Sequence, residues 1–192
     1  MAGKLESLKQ ALRQEVKLRV AGMTEQVRFC GSESALQLLQ RQPSWQAAKA
    51  VLFYAPLSSE LDVWPLIGDA LAQGKLVALP RFDAKTGQYT ACRVADVKVD
   101  LESGRYGIRE PRPGCEPVPL NRLDFVLVPG VAFDLHGRRV GRGRGYYDRL
   151  LAGVRGKTCG VAFDEQIVRQ IPVGPHDSDV NCILTPTRWI EL

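Results

Sequence analysis

Residues 50–80 read AVLFYAPLSSELDVWPLIGDALAQGKLVALP. The run at 50–55 is apolar at consecutive positions, which suits a strand buried on both faces. Pro56 and two serines interrupt it, and Glu60 comes next. Val63, Leu66, Ile67, Ala70 and Leu71 then recur at helical spacing, and Gly74 predicts the stop. LVALP at 76–80 returns to a buried strand. Strand, helix, strand in that order is the βαβ unit of a parallel sheet. The expected class is therefore α/β, a mostly parallel sheet flanked by helices.

The rest of the chain extends this pattern. QYTACRV at 88–94 alternates like a strand after a turn at 85–87. Residues 100–122 are proline-rich and read mostly as loop. FVLVP at 125–129 is another fully apolar strand, a helix is expected from GYYDRLL onward, and CGVAF at 159–163 is a further strand. A short helix is expected over 164–170, and CILT at 182–185 reads as the last strand. At the other end, Leu5, Leu8, Leu12 and Val16 predict an amphipathic helix over 4–21, with Lys9 and Arg13 four apart on its polar face. Thr24 reads as the N-cap of a second helix that runs to about Gln40 and is ended by Pro43. No repeat, low-complexity tract or linker interrupts the 192 residues, so 1–192 is expected to be a single domain.

Composition is that of an ordinary globular protein, 45% hydrophobic and 24% charged, with a net charge of +5. The five cysteines are widely spaced, odd in number and form no CxxC pair. That pattern predicts free thiols in a reducing, cytoplasmic setting. The first twenty residues are charged throughout, unlike a signal peptide, and no apolar run approaches transmembrane length. With only His136 and His176 and no Cys/His cluster, a zinc site is not expected.

The most distinctive segment is GRRVGRGRGYYD at 137–148, four glycines and four arginines between a strand and a helix. In open α/β sheets ligands bind beyond the carboxyl ends of strands. Glycines let the backbone approach a ligand, arginine forks match phosphate oxygens in pairs, and a helix N-terminus favours an anion. Asp148 adds a carboxylate suited to magnesium beside phosphates. These features describe a nucleotide polyphosphate site, although the spacing matches neither GxxxxGK[ST] nor GxGxxG. Two other readings stay open on these residues: an RNA-binding module using the Arg-Gly loop, and an ATP-independent sugar-phosphate enzyme on the same scaffold.

PGVAFDLHGRRVGRGRGYYDRLL at 129–151 closely resembles the signature of the 5-formyltetrahydrofolate cyclo-ligase (methenyltetrahydrofolate synthetase) family. KQALRQEVKLR at 9–19, YAPLSSELDV at 54–63, YGIREP at 106–111 and VAFDEQIVRQIPVGPHDSDVNCILT at 161–185 resemble further blocks of that family in order. The resemblance implies a Rossmann-like α/β domain of the type shared with sugar-phosphate isomerases and CoA transferases. It implies conversion of 5-formyltetrahydrofolate to 5,10-methenyltetrahydrofolate with ATP and Mg2+ as cofactors and release of ADP and phosphate. It also implies a small-molecule folate substrate with neither nucleic-acid nor membrane partners; a monomer is the default expectation.

The resemblance assigns ATP contacts to Lys9, Arg13, Arg139, Val140, Gly141, Arg142, Gly143, Arg144, Gly145, Tyr146 and Tyr147. Arg142 and Arg144 take the catalytic role, Arg144 standing where many relatives have lysine and touching the transferring phosphoryl group. Substrate contacts fall on Ala55, Glu60, Tyr106, Arg142, Gly145 and Tyr146. Glu60 can accept from the pterin's donors, and Tyr106 can stack on a flat ring. Asp148 is the implied magnesium ligand, joined by Asn181, which stands where the family often has aspartate. Asp177 or Asp179 are the alternatives for that second contact. Asp134 and His136 read as loop-shaping groups.

Overall fold

A computed structural model describes residues 2–104 and 107–192. Helix α1 spans Ala2–Ala21 and α2 spans Glu25–Gln40. Thr24 caps α2 as expected, its hydroxyl accepting from the Val27 amide at 3.2 Å. Pro43 opens a separate short helix, α3 (Pro43–Ala47), instead of merely ending α2. Proline is tolerated in a first helical turn, where its missing N–H has no partner to lose. The βαβ unit comes next as β1 (Ala50–Leu52), α4 (Trp64–Ala72) and β2 (Leu76–Asp83), with Val51 opposite Val77 in parallel register. β3 (Gln88–Val94) turns back on β2 as an antiparallel hairpin.

The proline-rich stretch 100–122 is more ordered than its composition predicts. It holds a small hairpin, β4 (Leu101–Ser103) with β5 (Arg109–Pro111), and a tight helical turn at Leu120–Arg122. Then come β6 (Phe125–Pro129), β7 (Ala132–Asp134), β8 (Arg139–Val140), α5 (Tyr146–Leu151) and β9 (Lys157–Val161). The helix expected over 164–170 is a single turn, Asp164–Gln166, that gives way to β10 (Ile167–Val168). β11 (Cys182–Leu184) is not the last strand, because β12 (Trp189–Glu191) lies antiparallel along its outer edge.

The main sheet has the order β12-β11-β9-β6-β1-β2-β3, parallel except at its two edge strands. Alternate residues of a strand face opposite sides, so each apolar run feeds two cores. Val51, Phe53, Val77, Leu79, Phe125 and Leu127 pack with Trp45, Leu66 and Ile67 from α3 and α4. Leu52, Ala78, Val126 and Val128 pack on the other side with Phe133, Leu150 and Leu151. That second face is covered by α5 and by a small sheet of order β10-β7-β8.

Helix α1 packs outside the small sheet, where Val16 and Val20 meet Val131, Val140 and Ile171. Its hidden stripe is Lys9, Arg13, Val16 and Val20, whereas Leu8 is 52% exposed. This corrects the sequence reading by one helical position: Lys9 and Arg13 lie on the buried face, not on a solvated one.

At the amino-terminal ends of the strands, Asn181 ties β11 to β9. Its Oδ1 accepts from the Thr158 amide at 2.8 Å and the Thr158 hydroxyl at 2.9 Å. Nearby, Gly137 turns the β7–β8 hairpin with φ of +82°, and a Cβ there would sit 2.5 Å from the Val180 carbonyl oxygen. Both the backbone conformation and the close approach demand glycine. Gly137→Ala is therefore expected to cost about 2 to 3 kcal/mol, read as a lowered midpoint in urea unfolding.

Candidate functional site

The chain leaves β1 toward β2 and leaves β6 toward β9, on opposite sides of the β1–β6 pair. A crevice must open beyond the carboxyl ends of such neighbours, and this is the general ligand position in open α/β sheets. Tyr54 and Ala55 leave β1 there, and Pro129 and Gly130 end β6 there. All four line a cavity of about 1010 Å3. Among the described residues, every expected site residue lines this cavity except Asn181 and its alternative Asp179. Asn181 lies at the opposite ends of the strands, with its Oδ1 committed to Thr158. The motif suggests a metal ligand at this position; the fold uses it to join two strands. Tyr106 lies outside the described residues.

Four cation–carboxylate pairs frame the cavity. Lys9 Nζ donates to Asp177 Oδ1 at 2.6 Å, bridging α1 and the loop before β11. Arg13 donates from Nε to the Gly141 carbonyl at 2.9 Å and from its guanidinium to Glu6 Oε1 at 2.7 Å. Arg139, almost fully buried, donates to Asp148 Oδ1 at 2.6 Å and lies 5.9 Å over the Tyr147 ring. Arg142 reaches across the cavity to Glu60 Oε1 at 2.8 Å. Glu60 is held in turn by the Leu57 amide, which donates to Oε2 at 3.0 Å. Arg144 differs: its side chain is exposed and makes no hydrogen bond or ion pair among the described residues.

Local sequence explains this display. Buried Asp134 accepts from the amides of His136, Arg138 and Ile171, so it shapes the β7–β8 turn as expected. Gly143 has φ of +91°, and a Cβ there would sit 3.4 Å from the Arg13 guanidinium. Helix α5 then turns Tyr147 inward, and burial, with Glu60 nearby, pushes its hydroxyl well above the usual tyrosine range. Tyr147 therefore stays neutral against Arg139. Tyr54, which donates to the Leu61 carbonyl at 2.8 Å, is raised by burial and Glu60 in the same way.

Part of the wall is not visible to sequence reasoning. Phe82, Tyr89 and Tyr146 pack ring against ring, with centroids 5.2 to 5.6 Å apart. Phe82 and Tyr89 are direct partners in the β2–β3 register, which the alternation of the two strands alone does not fix. Nothing in the sequence singles out Glu6, and Asp177 reads there only as a metal ligand. Asp148 keeps Oδ2 free of protein partners among the described residues, while Oδ1 takes Arg139 and the Ser178 amide. Removing Asp148 strands a buried cation. Asp148→Ala is expected to destabilise the fold by about 3 kcal/mol, and adding Arg139→Met should recover much of that loss in the same unfolding titration.

Comparison with known proteins shows the family and the fold. The profile of the 5-formyltetrahydrofolate cyclo-ligase family matches residues 6–186. A mouse 5-formyltetrahydrofolate cyclo-ligase is 30% identical over 94% of this chain and 94% of its own length. The Escherichia coli K12 enzyme of the same name is 32% identical over 87% of this chain and 93% of its own. The NMR structure of an Aquifex aeolicus 5,10-methenyltetrahydrofolate synthetase superposes with a TM-score of 0.85 at 36% identity, covering 96% of this chain and 93% of that one. The Mycoplasma pneumoniae synthetase, at 20% identity and a TM-score of 0.73, shares the fold. With the signature loop, the facing carboxylate and the profile all falling in one chain, this protein belongs to the 5-formyltetrahydrofolate cyclo-ligase family.

Proposed function

We propose that this enzyme converts 5-formyltetrahydrofolate to 5,10-methenyltetrahydrofolate, coupled to cleavage of ATP to ADP and phosphate. The observation that carries the reading is the single cavity in which the glycine-arginine loop of the family signature faces Glu60. A formyl oxygen is a poor leaving group. In the proposed reaction it attacks the γ-phosphorus, the bond to ADP breaks, and the oxygen becomes part of a phosphate ester. N10 then closes on the formyl carbon and loses its proton, and phosphate departs with that oxygen.

The chain's own residues supply binding and charge. Lys9, Arg13 and Arg139 line the wall beside the loop and suit the phosphate chain. Lys9 has a third N–H beyond the two directed at Asp177. Glu60 suits the donors of the pterin, and the Phe82–Tyr89–Tyr146 wall offers flat apolar surface to aromatic rings. Arg144, exposed and without a protein partner among the described residues, is the cation best placed to follow charge as it develops on the transferring group. Tyr106 keeps its assignment to the folate from the resemblance alone.

For Mg2+ the donor set fits a site made mainly by the nucleotide. Among the described residues no group of three or more His, Cys, Asp or Glu side chains stands together, but Asp148 keeps one oxygen free beside the loop. Magnesium is commonly held by one or two carboxylates plus phosphate oxygens and water. When bound, it would neutralise phosphate charge. Asn181 takes no part in this reading. The five free cysteines suit a reducing, cytoplasmic setting, and among the described residues no helix is long and apolar enough to cross a membrane. We keep a monomeric, single-domain enzyme as the working state.

The direct test incubates purified protein with 5-formyltetrahydrofolate, ATP and Mg2+, follows the near-ultraviolet absorbance of the methenyl product, and omits each component in turn. Product that needs all three supports the reading; product without ATP overturns it. Arg144→Ala is expected to lower kcat by about 100-fold or more while folate affinity changes little. Asn181→Ala is expected to lower thermal stability by the equivalent of about 1 to 2 kcal/mol and to leave the Mg2+ concentration for half-maximal rate unchanged.

A further inference from the structure

The ion pair between Arg142 and Glu60 crosses the cavity from the phosphate loop to the segment after β1. In the functional reading, on which this inference rests, Glu60 serves the folate, and Arg142, which the resemblance gives to ATP as well as to folate, is carried by the phosphate loop. Glu60 is nearly buried, with a side chain 12% exposed, whereas the Arg142 side chain is 48% exposed. The carboxylate is also fixed by the Leu57 amide on its other oxygen. Glu60 is therefore the enclosed, doubly held partner and Arg142 the more solvated one. In this state Arg142 is held at the Glu60 carboxylate and not at a phosphate, and one oxygen of Glu60 is occupied by the guanidinium.

We propose that Glu60 is a positioning residue for Arg142 as well as a folate ligand, so that the two substrates admit one another. A phosphate oxygen that takes Arg142 frees Glu60 Oε1 for a pterin donor. A pterin that takes Glu60 releases Arg142 to the phosphates. Linkage requires the effect to be reciprocal and equal in the two directions. The other pairs do not couple the subsites in this way. Lys9–Asp177, Arg13–Glu6 and Arg139–Asp148 each join groups on the phosphate side. The size is set by a pair that is half in water, so the coupling is about threefold to tenfold in affinity.

The sign of one substitution separates this from a carboxylate that binds folate only. Glu60→Gln keeps an acceptor for the Leu57 amide but removes the charge that holds Arg142. It should weaken 5-formyltetrahydrofolate and tighten a non-hydrolysable ATP analogue with Mg2+ about threefold or more. The measurement is calorimetric titration of the whole protein with each ligand, alone and with the other present. Wild type should bind each ligand several-fold more tightly in the presence of the other, and Glu60→Gln should lose that enhancement. A general charge effect is removed by a double-mutant cycle, because in an Arg142→Gln background Glu60→Gln should no longer tighten the analogue. Equal tightening in both backgrounds overturns the proposal, as does independent binding of the two ligands to wild type. Wild type that binds neither ligand overturns the functional reading itself, and the inference falls with it.

Discussion

A cation taken out of water must be matched by an anion, and that constraint organises the site. Lys9, Arg13 and Arg139 are each less than one-tenth exposed. Left alone, any of them would cost more than a small domain can spare. Each has a carboxylate: Asp177, Glu6 and Asp148. The acids come from three parts of the chain; within the loop Arg139 is matched by Asp148 and Arg142 by Glu60, while Arg138 and Arg144 have no carboxylate partner among the described residues. The arginines of the loop consequently fall into two kinds. Arg139 is structural cation and cavity wall together, whereas Arg144 needs no counter-ion because it stays in water.

Topology then decides where this patch can be. The parallel strands diverge in chain order between β1 and β6, and the crevice beyond their ends is walled by the segments that leave those two strands. β1 leads into the segment ending in Glu60; β6 leads into the small sheet and the glycine-arginine loop. Two chemically different loops are thus brought face to face by a single feature of connectivity. The small sheet adds the third side, because α1 packs on it through Val16 and Val20 and carries Lys9 and Arg13 to the same place.

Much of this is legible in the residues. Apolar runs at 50–55, 76–80 and 125–129 carry strands because burial on both faces accommodates them, although β1 itself stops at Leu52 and β2 runs on to Asp83. The loop is legible because its composition is extreme. The elements that escape sequence reasoning are weakly coded. β4, β5 and β12 have three residues each, too few for a period, and β5 carries Arg109, Glu110 and a proline. The face of α1 misleads because Leu8 is exposed while two cations are buried, an exchange that only their carboxylate partners permit. Asn181 misleads because a position in a motif does not say which end of a strand it occupies. The ring cluster of Phe82, Tyr89 and Tyr146 needs a register as well as a pattern.

The length of chain that separates α1 from its partners has a consequence during synthesis. Lys9 and Asp177 stand 168 positions apart, and Val16 packs on residues from Val131 to Ile171. A helix can form within microseconds of leaving the ribosome, but translation proceeds at only about 5 to 20 residues per second. α1 therefore waits for about 8 to 30 s, with its valines and its two inward cations undocked, until Asp177 has emerged. The βαβ unit and β3 can pair long before that. The binding cavity is consequently completed only after residue 177 has been made, long after α1 itself.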